Sequence, residues 1–283
     1  MNQRFGNQGP ITPAILNLII INVILFVAKL IFANNQILHL DKLLGLYFPQ
    51  NNNFKIWQIV SHLFMHADFM HLALNMFSLW MFGTVLEKVW GAKRFLIYYF
   101  ITGLGAALCY MAVQYYSLWQ AIQSANLFLA HPSAAACTDF LKTNSLQLSD
   151  DSMQLLQQWK LHPNDYNLLQ TFKQMIADYK LNCMQLDGRF SVPIIGASGA
   201  VYGVLLGYGY LFPNTIIYMQ FFIPVKAKYL VLIYAGIELL STWQNVPGDN
   251  VAHVAHLGGM LFGFILLFFG KKQTKTHFIN CKN

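Results

Sequence analysis

Residues 196–207 read GASGAVYGVLLG, and this stretch decides how the rest of the chain is read. It opens an apolar run with a hydroxyl, Ser198, held between the small residues Ala197 and Gly199. Gly199, Gly203 and Gly207 recur every four residues, so a helix here lacks side chains along one face and lets another helix approach closely. Residues 255–263, AHLGGMLFG, repeat the pattern, with His256 ahead of Gly259 and Gly263. Either run alone reads as a packing helix. Together they offer a serine, a histidine and two small faces.

Composition places the chain in a class. Of its 283 residues 56% are hydrophobic and only 10% are charged, against roughly 25% charged in a soluble domain. That is too little charge for a water-facing surface, and the expected class is an all-α membrane protein. The formal net charge of +7 does not point to nucleic acid, because no basic stripe interleaved with aromatics appears. The basic residues cluster at the ends of apolar runs instead.

Six runs are expected to span. The first, about Ile15 to Ala33, is long enough for a hydrocarbon core of ~30 Å, with Lys29 snorkelling to the interface. Residues 34–64 read as an amphipathic segment at the membrane surface. Spans two and three run from about Met65 to Leu86 and from Phe95 to about Tyr116. Spans four to six are Gly196–Phe212, Tyr229–Trp243 and Val251–Gly270. Lys88, Lys93 and Arg94, then Lys226 and Lys228, then Lys271, Lys272 and Lys275 all fall on one side, which the positive-inside rule makes the cytoplasm. The expected organisation is a cytoplasmic tail (1–12), spans one to three (13–117), an outer-side helical insertion (118–190), spans four to six (191–270) and a second cytoplasmic tail (271–283). The expected location is a cell membrane, multi-pass, with both termini cytoplasmic.

The insertion is too polar to cross. Leu168, Leu169, Phe172, Met175, Ile176 and Tyr179 follow helical spacing after Asp165, and another helical patch, Met153–Leu161, follows Ser149-Asp150-Asp151. Either a small helical subdomain or a pair of amphipathic helices resting on headgroups satisfies that pattern. Cys137 and Cys183 both lie in it, where an oxidising compartment permits a bridge between them. Cys109 lies in span three and Cys281 in the second tail.

Spans two, four and six run in the same direction, so their starting ends share a depth. Ser198, His256, His71 and Asn75 all lie near those ends, within roughly a turn or two at about 1.5 Å per residue. A serine needs a base in hydrogen-bond reach to become a nucleophile, and histidine is the usual one. The glycine faces would set Ser198 against His256. The Ser198 N–H at a helix N-terminus, with side-chain donors from His71 and Asn75, would stabilise an oxyanion.

Three segments, GASGAVYG, AHLGGMLFG and HADFMHLALNM, resemble in order the signatures of the rhomboid family of intramembrane serine proteases, and GTVLEKVWGAKR is similar to the stretch after its second span. The resemblance covers roughly residues 54–116 and 193–270. It implies a six-transmembrane-helix rhomboid-like bundle with a helical extramembrane insertion between spans three and four. It also implies a Ser–His dyad without a third acid, with Ser198 as nucleophile and His256 as base. His71, Asn75 and the Ser198 amide would form the oxyanion site, Tyr202 would pack on the imidazole, and Gly199, Gly203, Gly259 and Gly263 would pack helices. Substrates would be transmembrane proteins in the lipid bilayer, cut near the outer end of a helix that can unwind, since a helical peptide bond is hydrogen-bonded and shielded. No cofactor, metal or nucleic acid is expected. One departure stands out: Trp57 is followed by Gln58, where many members carry arginine.

Other readings compete. His62, His66, His71, His253 and His256 could ligate a metal, but the HExxH glutamate is missing. His253 rivals His256 as base, and only the spacing to Gly259 and Gly263 selects His256. His66 and Asp68 read as wetted interface residues. Glu238, less than two turns from Trp243, reads as reaching interfacial water. The alternative function is a non-catalytic rhomboid-like protein that binds membrane clients.

Overall fold

The structure, a computed structural model, describes residues 10–34, 38–186, 191–219, 223–244 and 253–279. Most of the N-terminal tail, the expected start of span six at Val251 and Cys281 lie outside the described residues. The fold is mostly helical and divides into two compact units. The first comprises residues 1–47, 53–110 and 193–283, the second residues 48–52 and 111–192.

The first unit begins with α1 (Pro13–Asn34), about 33 Å long at 1.5 Å per residue. Its N-terminus is capped from far away in sequence. The buried Glu87 carboxylate accepts from the Thr12 hydroxyl and from the Ala14 and Ile15 amides, at 2.5, 3.0 and 3.0 Å. These amides belong to the orphan donors of a first helical turn, and a carboxylate there also suits the helix dipole. At the other end Lys29 does not snorkel as expected. Its ammonium ion-pairs with Asp41 at 2.9 Å and donates to the carbonyls of His66 and Ala67 at 2.7 and 2.8 Å.

Beyond Asn34, the segment expected at the membrane surface, 34–64, is described from residue 38 onward. It holds α2 (Leu40–Leu44), α3 (Gln58–Ser61) and a 3-10 turn over His62–Phe64, joined by loops. Gln58, standing where arginine was expected, is fully buried. Its Oε1 accepts from the Tyr47 and Lys55 amides, and its Nε2 donates to the carbonyls of Leu43 and Asn53. A neutral amide, having both donors and an acceptor, ties this loop to itself. His66, read as wetted, is buried, whereas Asp68 is exposed and caps the following helix by accepting from the His71 amide at 2.8 Å.

That helix is α4 (Phe69–Ser78), which continues through a π-helical turn (Leu79–Gly83) into α5 (Thr84–Trp90). After Gly91 at φ 77°, α6 (Ala92–Ala130) runs 39 residues without a break. Span three was expected to end near Tyr116; the helix goes on, and the unit boundary falls within it, after Tyr110. α10 (Ser198–Leu211), α11 (Ala227–Gln244) and α12 (His253–Ile279) complete the first unit. Its core is built from Ile15, Leu18, Leu79, Leu86, Phe95, Tyr99 and Val204. A two-stranded antiparallel hairpin, β1 (Ile216–Met219) and β2 (Ile223–Lys226), joins α10 to α11 and corrects the all-α expectation.

Among the described residues, three helical stretches, Pro13–Ala33, Phe69–Trp90 and Ala92–Ala130, are long and apolar enough to cross a bilayer. Ile24, Leu30 and Ile31 on α1, and Leu232, Leu239 and Leu240 on α11, face outward. Outward apolar rows of this kind are costly in water and suit lipid. This is a membrane protein.

The second unit holds α7 (Ala134–Thr143), α8 (Asp150–Leu161) and α9 (Tyr166–Met184), together with the end of α6. The serine and aspartate start signals act as caps: Ser149 accepts from the Ser152 amide, and Asp165 from those of Asn167 and Leu168. α7, capped by Ser133, was missed. The unit has its own core of Phe128, Phe140, Trp159, Phe172 and Ile176, with Trp159 and Phe172 stacked at 5.3 Å and 7°. No disulfide joins Cys137 and Cys183, which pack into different clusters.

Candidate active site

The site is assembled by α4, α10, α11 and α12. The α10–α12 seam is the closest approach. A methyl group at Gly259 would lie 1.9 Å from the Gly199 carbonyl oxygen, so only glycine allows this contact. The other glycines serve a different neighbour. Gly203 makes room for Thr102 of α6, and Gly263 for the Tyr98 hydroxyl, which donates to the Gly203 carbonyl at 2.8 Å. The two small faces are therefore not one zipper. They meet where the Gly199 carbonyl abuts Gly259, and the Gly199 face itself receives Ala106 of α6, which a Cβ there would approach to 2.4 Å.

That meeting point sets the residues before it. Ser198 opens α10, and its Oγ lies 2.9 Å from His256 Nε2. The His256 ring stacks on Tyr202 with centroids 4.2 Å apart and planes 6° from parallel. Tyr202, one turn beyond Ser198, thus fixes the plane in which the imidazole presents Nε2.

His71 approaches from α4. Its ring lies against Gly196, where a Cβ would come within 2.9 Å of the ring and 3.6 Å of Ser198 Oγ. Gly196 has φ 128° and donates its amide to the His62 carbonyl at 2.9 Å, so both backbone and space demand glycine there. His71 Nδ1 accepts from the Ala67 amide at 3.5 Å, which leaves Nε2 as the donor side of the neutral ring. Asn75 is buried, and its Nδ2 donates to the His71 carbonyl at 2.9 Å, leaving one amide hydrogen to offer. A cavity of about 20 Å³, room for a water molecule, touches Ser198, Gly196, Gly199, His62 and Ala255.

Glu238 differs from its reading. It is only 4% exposed and does not reach interfacial water. Its Oε2 lies 2.5 Å from His253 Nδ1, and its Oε1 accepts from the Tyr202 hydroxyl and lies 3.0 Å from His256 Nδ1. An acid therefore does stand behind the imidazole. His253 belongs to this carboxylate, while His256 is the histidine at the serine. Glu238, His253 and His256 bring one ligand atom each within 4.8 Å. The 2.5 Å contact is a hydrogen bond, tighter than the ~3.3 Å between donors sharing one tetrahedral ion at about 2 Å. Glu238 was visible in the sequence as an intramembrane carboxylate, a functional candidate by default; its partners were not.

The Rhomboid domain matches residues 53–128 and 168–273, more of the insertion than the motifs alone reached. The chain is 24% identical over 242 residues to RHOMBOID-like protein 12, mitochondrial, of Arabidopsis thaliana, covering 82% of this chain and 54% of that protein. It is 25% identical over 207 residues to Rhomboid protein 1, mitochondrial, of Saccharomyces cerevisiae, covering 73% and 40%. It is also 36% identical over 72 residues to Rhomboid-like protease 3 of Toxoplasma gondii, covering 25% and 27%. The chain thus spans about half or less of the length of these relatives. With a domain match over more than half its residues, the chain belongs to the rhomboid family.

Proposed function

We propose that this protein is an intramembrane serine endopeptidase that cuts transmembrane proteins near the outer end of a helix. The observation that carries the reading is the 2.9 Å separation of Ser198 Oγ and His256 Nε2. Ser198 Oγ attacks the scissile carbonyl carbon while its proton passes to His256 Nε2. The His71 Nε2–H, the Asn75 amide and the Ser198 N–H donate to the oxyanion. Collapse breaks the C–N bond, and His256 returns the proton to the leaving amine. A water molecule then gives its proton to His256 and attacks the ester carbonyl; collapse breaks the bond to Ser198 Oγ, which takes the proton back from His256, and releases the acid. We also propose six spans with both termini on one side, a reading supported by the clusters of lysine and arginine at the ends of the apolar runs. Two of the relatives have mitochondrial in their names, and these comparisons lend no support to a cell membrane in particular.

The test is cleavage of a reporter single-span protein by the wild type, Ser198→Ala and His256→Ala, with labelling by a fluorophosphonate probe. Cleavage and labelling should be lost with Ser198→Ala and persist in chelator. Client binding with no cleavage and no labelling of the wild type would instead favour a non-catalytic rhomboid-like protein.

A further inference from the structure

We propose that Glu238 is the positioning residue of the catalytic base: its carboxylate holds His256 with the proton on Nδ1 and the lone pair of Nε2 turned to Ser198. The inference rests on the protease reading of the same site.

Four observations converge. Glu238 is buried, so its carboxylate must be satisfied from within the protein. Its Oε1 lies 3.0 Å from His256 Nδ1, and that nitrogen has no hydrogen-bond partner among the described residues. The ring N–H is not aligned with that oxygen, so the contact is one of distance and charge. Tyr202 donates to the same oxygen, so the residue that fixes the ring plane also fixes the carboxylate. His253, one turn before His256, takes the other oxygen and stops Glu238 from turning away.

The chemistry follows from what an imidazole can do. Neutral histidine has one donor and one acceptor nitrogen, and the partner of one decides the role of the other. A carboxylate at Nδ1 only accepts, which forces the proton there and leaves Nε2 as base. When Nε2 takes the Ser198 proton, the carboxylate faces the new positive charge. Glu238 keeps its own charge throughout and exchanges no proton.

Glu238→Gln keeps the shape, removes the charge and allows the other tautomer. It is expected to lower kcat for the reporter by about 10²- to 10⁴-fold, the scale on which a serine protease loses kcat when its orienting carboxylate becomes an amide. KM should stay within about twofold, because Glu238 touches no substrate, and the thermal unfolding midpoint should stay near that of the wild type. A folded Glu238→Gln enzyme with kcat within about threefold of wild type overturns the proposal. A loss that only tracks the folded fraction, with fluorophosphonate labelling per folded molecule unchanged, also overturns it. Should the variant not fold, ¹⁵N-histidine NMR of the wild type decides, with His256→Gln assigning the signal. Neutral His256 is expected to carry its proton on Nδ1, and a proton on Nε2 refutes the role. Wild type that neither cleaves nor labels would defeat the protease reading, and the tautomer measurement would still judge the Glu238 contact.

Discussion

The Gly199 carbonyl lies against Gly259 so tightly that a methyl group on Gly259 would come within 1.9 Å of its oxygen. Ser198 and His256 stand just ahead of this contact, one on each helix, and their 2.9 Å hydrogen bond inherits its spacing. Gly259→Ala must push α10 and α12 apart. Overpacking of this kind costs about 1–3 kcal/mol. The variant is expected to melt earlier in detergent and to lose most fluorophosphonate labelling even where folded, because a shift of about 1 Å at reacting atoms costs about 10²-fold in rate.

Gln58 supports the loop before α4 through four hydrogen bonds from a fully buried amide. Gln58→Leu fills the same space but leaves the Tyr47 and Lys55 amides without this acceptor, while the Leu43 carbonyl keeps the Trp57 indole N–H at 3.1 Å. At about 1–3 kcal/mol for each group left buried and unpaired, a net loss of about 2 kcal/mol or more is expected. Thermal unfolding of the variant beside the wild type measures it.

His62 gives the protein a pH dependence. Burial holds its pKa down from 6.5 to about 4, only partly offset by its contact with the Gln58 carbonyl. As pH falls, the unfolded chain takes up this proton near 6.5 and the folded chain only near 4. The contribution is therefore complete above the unfolded value, shrinks as pH falls between the two, and is constant below them. A gap of this size amounts to about 3 kcal/mol. Unfolding midpoints between neutral pH and about pH 4.5 should fall for the wild type and fall less for His62→Asn.

Cys137 is fully buried in the core of the second unit, and burial pushes its thiol up to about 11. The thiolate is the reactive form, so Cys137 should resist alkylation in the folded protein and react once it is unfolded. Electrophoretic mobility should be the same with and without reductant. A mobility shift on reduction that disappears in Cys137→Ser would contradict the separate packing of Cys137 and Cys183.

What the chain determines by itself is what repeats locally. Small residues four apart mark close helix faces, serine and aspartate before apolar runs mark the starts of α8 and α9, and the order of Ser198, His256, His71 and Asn75 brings one chemistry into view. Those readings need only the period of a helix and the nature of each side chain. α7 escaped because its ten residues, Ala134–Thr143, carry too short a pattern to stand out. What tertiary structure alone decided are the partners of buried polar groups. Glu87 caps a helix more than seventy residues upstream, Lys29 crosses to Asp41 and to two carbonyls of the chain before α4, and Gln58 ties the loop before α4 to itself. Glu238 turned from a presumed interfacial carboxylate into the residue behind His256. Each outcome depends on how far one helix is rotated against another. The packing of the whole unit sets that angle, and a polar group shut away from water must then bind whatever the angle brings within reach.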